Sequence, residues 1–166
     1  MSADDGGTAP VCEIPGAITT VHRYELPLAR EEVWSLISQV SEYRTWWPWL
    51  RAFDAAALAS NEEWRCEVQP PVPYLVRFRV SIGDVEPAVL VRAGVSGDVV
   101  GSALLTFSDT DTGCTATLDS SLAPGNRALR LVSRFAGPIA RFGHDWVLDS
   151  GARQFITRAV EPLVGD

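Results

Sequence analysis

His22 and Tyr24 stand two residues apart in a stretch that alternates from Ile18 to Leu28, so a strand there puts imidazole and phenol on one face with Ile18, Thr20 and Leu26. If that face points inward, both carry polar atoms into apolar surroundings. A histidine can give or take a proton near neutral pH. A buried tyrosine hydroxyl needs a hydrogen-bond partner, which can be a ligand or a neighbouring protein group. These two residues are the candidates for proton transfer. A second group is Trp46, Trp47 and Trp49 around Pro48. Their large aromatic faces suit the rim of a cavity for a flat apolar ligand, or they plug one end of the core, and the two roles can coexist.

Other polar residues have plainer readings. His144 has Ala140, Arg141, Val147 and Leu148 at helical spacing, which puts it on a helix flank, in a structural role or as a polar contact at a pocket floor. Arg77, Arg79 and Arg92 fall opposite an apolar strand face or at its edge, where they can pair across strands with Glu63, Glu67 or Glu86. An inward Arg92 would instead hold a ligand carboxylate through two hydrogen bonds. Asp119 can face either side of its strand and is given no role. Two histidines and scattered cysteines make a poor zinc site. The chain has neither a G-x-S-x-G nucleophile elbow nor a glycine-rich phosphate loop ahead of a helix. Asp109 and Asp111 fit ordinary turn chemistry.

The elements that must hold these residues follow in a clear order. After the strand at 18–28, Glu31 and Glu32 suit a helix N-terminus, and Val33, Leu36, Ile37 and Val40 carry helical spacing. Ser41 can cap a second short helix that Pro48 ends. From Arg51 to Ala123 the pattern is strands and turns: a weak run at 53–59, Trp64-Cys66-Val68 in alternation, then Val76, Phe78, Val80 and Ile82 alternating with Arg77 and Arg79. Strands at 89–95, 99–107 and 114–122 follow, separated by Ser96-Gly97-Asp98 and by the Asp109–Gly113 loop. Asn126 can cap a helix to Phe135. After Gly137-Pro138 a long helix is predicted to about Val160, with Ile139, Phe142, Gly143, Trp146, Val147 and Phe155 along its inner stripe.

At 166 residues the chain suits one domain with a core of its own, and its composition, 46% hydrophobic and 21% charged, is that of a globular protein. Residues 1–16 read as a flexible acidic tail rather than a signal peptide, 17–161 as the folded domain and 162–166 as a short C-terminal tail. A net charge of −7 without any basic run argues against nucleic acid as a partner. No apolar run is long enough for an integral membrane span. Cys12, Cys66 and Cys114 lie far apart and point to free thiols in a reducing, cytoplasmic compartment.

This order resembles the helix-grip superfamily (SRPBCC) that includes START lipid-transfer domains, the birch-pollen-allergen (Bet v 1-like) fold and bacterial polyketide cyclase/dehydrase-like proteins. Three segments carry the resemblance: Glu31 to Ile37 with Tyr43 to Pro48, the strand pair around Gly94 to Phe107, and Gly143 to Gly151. It implies an α+β fold in which a curved antiparallel sheet of six or seven strands wraps around the long C-terminal helix, with two short helices after the first strand. It also implies a cavity between sheet and helix, and its members bind lipids, sterols or polyketides. The residues expected at such a cavity are His22, Tyr24, Trp46, Trp49, Trp64, Phe78, Val80, Phe107, Phe142 and Trp146. The expected function is binding of a hydrophobic small molecule: a lipid, polyketide or aromatic metabolite. The alternative is a polyketide cyclase/dehydratase-type enzyme in which His22 or Tyr24 moves protons. An interaction protein using the outer sheet would need a large exposed apolar patch. No cofactor and no metal is expected, and the protein is expected to act as a monomer or homodimer.

Overall fold

Alternation in the strands sets the sheet. In β4 (Val76–Glu86), Phe78, Val80 and Ile82 turn inward while Arg77, Arg79 and Ser81 are exposed, the period-two pattern of a half-buried strand. The structure, a computed structural model, describes residues 16–71, 73–135 and 137–165. Besides β4 it holds β1 (Ile18–Leu26), β2 (Leu50–Asp54), β3 (Glu63–Val68), β5 (Leu90–Gly97), β6 (Val99–Thr110) and β7 (Gly113–Pro124). They form one antiparallel sheet in the order β1-β7-β6-β5-β4-β3-β2. Strands β2 to β7 are a simple meander, and β1 returns to pair with β7 at one edge. The expected Asp109–Gly113 loop is tighter than the sequence suggests: Thr110 pairs with Gly113, leaving Asp111-Thr112 as the turn.

Helix α1 (Arg30–Ile37) begins where Glu32 Oε2 accepts a hydrogen bond from the Ala29 N–H at 2.9 Å, and it buries Val33 and Leu36. The next segment differs from the expected helix capped by Ser41. Ser41 lies inside a 3-10 turn (Val40–Glu42), and α2 (Tyr43–Trp46) is a single turn with no side-chain cap. Asn126 does cap α3 (Arg127–Phe135): its Oδ1 accepts from the Leu129 N–H at 2.7 Å, while its Nδ2 donates to Asp98 Oδ1 at 2.7 Å.

Helix α4 runs over Gly137–Phe155. The helical path continues beyond the expected end near Val160: a π-helical turn (Ile156–Val160) leads into a last turn, α5 (Glu161–Val164). The sheet curls around this C-terminal helical segment. The main core gathers Leu26 from β1, Val33 and Leu36 from α1, Tyr43 and Trp46 from α2, Phe107 and Cys114 from the sheet, and Phe155 and Val160 from the C-terminal segment. Residues 1–15, which hold most of the expected N-terminal tail, lie outside the described residues.

Candidate functional site

The core does not fill all the space between sheet and helix. A half-open cavity of about 280 Å³ remains there. Tyr24 and Leu26 of β1, Leu105 and Phe107 of β6, and Ala116 and Leu118 of β7 line the sheet side. Val147, Leu148, Gly151, Ala152 and Phe155 of α4, followed by Ile156, line the opposite side. Val33 and Ile37 of α1, together with Trp47 and Trp49, complete the wall.

The tryptophan corner is fastened to the C-terminal helical segment by three side chains. Trp47 Nε1 donates to Gly151 O at 2.8 Å, and Trp49 Nε1 donates to Gln154 Oε1 at 2.9 Å. Arg158 Nη1 donates to Trp46 O at 2.7 Å and to Thr45 O at 3.3 Å, satisfying carbonyls at the end of α2. Both wall indoles thus have their N–H groups engaged with protein, and their stacked rings lie 6.0 Å apart at 29°. Tyr24 is the described lining residue that carries a hydroxyl. Burial, then the nearby Asp149 carboxylate, pushes its pKa up to about 12.

Of the residues expected at the cavity, Tyr24, Trp49 and Phe107 line it. His22 lies beside it, its ring stacked with that of Tyr24 at 6.2 Å and its Nδ1 3.9 Å from Asp149 Oδ1 on α4. Trp46 is instead a core residue, 5% exposed, packed edge-on against Phe155. Trp146 stands behind Trp49, with ring centroids 6.3 Å apart. Trp64 belongs to β3 and packs against Tyr43 and Phe53, its indole N–H held by Ala57 O at 2.9 Å. Phe78 and Val80 of β4 face inward but fall outside the cavity wall. The side chain of Phe142 lies outside the described residues. Trp47, read in the sequence with Trp46 and Trp49 as a rim or a plug, also lines the cavity, whereas Leu105 and Leu118 are wall residues that the sequence did not single out.

The remaining polar candidates are away from this wall. Arg77 pairs with Glu67 at 2.7 Å and Arg79 with Glu63 at 3.9 Å across strands. Arg92 is exposed and lies 3.6 Å from Asp84, so the sheet turns its guanidinium outward rather than toward a ligand carboxylate. Asp119 is also exposed, opposite Val21 on the outer face. His144 sits on α4 with Nδ1 3.5 Å from Asp145 Oδ1. Burial pushes the Cys66 thiol up to about 12, and raises the Cys114 pKa along with the carboxylates of Asp109, Glu25 and Glu31, so neither is poised as a thiolate nucleophile. Among the described residues no three His, Cys, Asp or Glu side chains gather as a metal site, and no helix is long and apolar enough to cross a membrane. A second hollow of about 320 Å³, between Arg44, Thr45, Pro48, Leu50 and Arg51, is a surface cleft. Among the described residues, the exposed large apolar side chains Val21, Leu131, Leu163 and Val164 come from three separate elements, β1, α3 and α5.

A seven-stranded antiparallel sheet curled about a long C-terminal helix, with two short helices after the first strand, is a helix-grip fold. Solved structures share it. The protein TTHA0849 from Thermus thermophilus is similar with a TM-score of 0.65 over 86% of this chain and 99% of that one, at 12% identity. Norcoclaurine synthase from Thalictrum flavum, in complex with dopamine and hydroxybenzaldehyde, gives 0.55 over 86% of this chain and 90% of that one, at 12% identity. The di-domain ARO/CYC protein StfQ of the steffimycin biosynthetic pathway gives 0.65 over 90% of this chain and 52% of that one, at 8% identity. At such identities the likeness is one of fold. No family model and no curated protein matches the chain.

Proposed function

We propose that the protein binds a hydrophobic small molecule in the cavity between the sheet and the C-terminal helix. The observation that carries this reading is the 280 Å³ of space walled by apolar side chains, with both tryptophan N–H groups turned to protein partners. Removing an apolar molecule from water into such a space is favourable roughly in proportion to the area it buries. The free thiols of Cys66 and Cys114 support a reducing, cytoplasmic setting. The test is mass spectrometry of the intact protein under native conditions, with Leu118→Trp as a variant that fills the space. The expected result is a retained apolar compound in the parent protein and none in the variant. Equal retention by both, or none by either, removes the reading.

A second reading, a polyketide cyclase/dehydratase-type enzyme, is favoured by the grouping of His22, Tyr24 and Asp149 beside the cavity. The names of norcoclaurine synthase and the ARO/CYC protein StfQ point the same way. Here His22 is the proton carrier and Tyr24 a hydrogen-bond donor to a substrate carbonyl. Loss of turnover of a poly-β-ketone test substrate in His22→Phe or Tyr24→Phe, with binding retained, supports this reading. Absence of turnover in the parent protein, or turnover unchanged in both variants, rejects it.

A further inference from the structure

We propose that the cavity selects an uncharged planar molecule of about two fused rings that offers one hydrogen-bond acceptor to Tyr24. This rests on the reading of the cavity as a binding site and goes further by naming the chemical class. Size comes first. An apolar cavity of about 150 Å³ holds one benzene, so 280 Å³ suits about two rings. A long acyl chain or a tetracyclic skeleton would extend beyond the space through its open side and leave apolar surface in water. Shape comes second. Trp47 and Trp49, with rings inclined by 29°, form one side. Leu105, Phe107 and Leu118 of the sheet also line the space, and aromatic walls favour stacked or edge-on flat rings.

Charge comes third. Among the described residues the lining contains no Arg, Asp, Glu or His, so a charged ligand would lose its hydration there without a paired group from them. The Asp149 carboxylate, which already acts on Tyr24, disfavours an anion further. Hydrogen bonding comes last. With the wall indoles engaged by Gly151 and Gln154, Tyr24 supplies the polar side-chain group left at the wall, and no described residue hydrogen-bonds its hydroxyl. A tyrosine hydroxyl is an O–H donor at neutral pH. The complementary ligand group is therefore a carbonyl or ether oxygen, which would accept a hydrogen bond from a donor that no described residue engages.

The experiment measures binding of naphthalene, 2-acetylnaphthalene, 2-naphthoate and palmitate to the full chain and to Tyr24→Phe, by tryptophan fluorescence checked with calorimetry. The expected result is 2-acetylnaphthalene bound about three- to tenfold more tightly than naphthalene. Tyr24→Phe abolishes that difference while naphthalene still binds, and a circular dichroism spectrum matching that of the parent shows the variant folded. Naphthoate and palmitate bind more weakly than naphthalene. A preference for naphthoate or palmitate, or a ketone advantage that persists in Tyr24→Phe, overturns the inference. Naphthalene bound with no ketone advantage overturns it while leaving the cavity reading intact. Failure of all four probes to bind rejects both.

Discussion

Gly151 sits in α4 at the point where the helix faces the two wall tryptophans, so replacing it with alanine probes the space directly. A Cβ built there lies 3.5 Å from Trp49 Cζ2 and 3.8 Å from Trp47 Nε1, which is ordinary van der Waals contact. In a helix interior, alanine is favoured over glycine by about 0.8–1 kcal/mol. Burying the added methyl contributes up to about 0.8 kcal/mol more. The Trp47–Gly151 hydrogen bond uses the backbone carbonyl and survives the change. Gly151→Ala is therefore expected to stabilise the protein by about 1–2 kcal/mol, raising Tm by about 2–7 °C for a chain of this length. Urea and thermal unfolding measure it. The same methyl narrows the cavity, so affinity for a two-ring ligand falls as stability rises, the exchange expected where a protein keeps space open for a guest. A loss of about 1 kcal/mol or more, cancelling the helix-propensity gain, would refute the reasoning, because it would mean that the tryptophans already close on the helix and leave no room for one methyl group.

Other outcomes follow from single features. Trp46→Ala removes a ring packed against Tyr43, Trp47 and Phe155 and is expected to cost about 3–5 kcal/mol in denaturant unfolding; a cost under about 1 kcal/mol would show that the ring is not in the core. Gly101→Ala puts a Cβ 1.9 Å from Ser121 O, a backbone atom of the paired strand, so soluble yield and Tm should both fall sharply, and an unchanged Tm would contradict the β6–β7 register. Alkaline pH should also destabilise the fold. Tyr24 moves from 10.0 to about 12, Cys66 from 9.0 to about 12, and Tyr43 upward, each chiefly through burial. The fold favours their neutral forms, so their contribution is complete below about pH 9 and is lost as pH rises toward about 12. Urea midpoints across that range should decline, and a flat profile would mean that these groups are solvated.

Much of the architecture was legible because it rests on local patterns. β4 alternates without a break, the β1 face bearing His22 and Tyr24 has the phase its sequence suggests, and Asn126 marks a helix start. The cavity wall was less legible. α2 lasts one turn, and Trp47 leaves it with φ −120 and ψ 87, so helical phase does not carry through the corner; Trp46 enters the core while Trp47 and Trp49 reach the cavity. In β6, Leu104 and Leu105 are adjacent, and the pattern alone does not tell which one faces in. Alternation correctly turns Phe78 and Val80 inward, yet it carries no information about which strands the helix overlies. The cavity lies against β1, β7 and β6, whereas β3 and β4 stand toward the other edge. The π-helical turn offsets the spacing of Ile156, Ala159 and Val160 from a 3.6-residue repeat, so no periodic template extends through it.

The return of β1 to the far edge of the meander has a consequence for assembly. Thr19 meets Ser121 although they are 102 positions apart in the chain, whereas each hairpin from β2 to β7 joins near neighbours. Closing so long a loop costs entropy before any contact offsets it. The meander can therefore zip up first, leaving the margin of β7 uncovered until the N-terminal strand docks. During that interval the chain is open to pairing with another copy. Pulse-labelled amide exchange should find β1 acquiring protection after β5 and β6, and the reverse order would exclude this route.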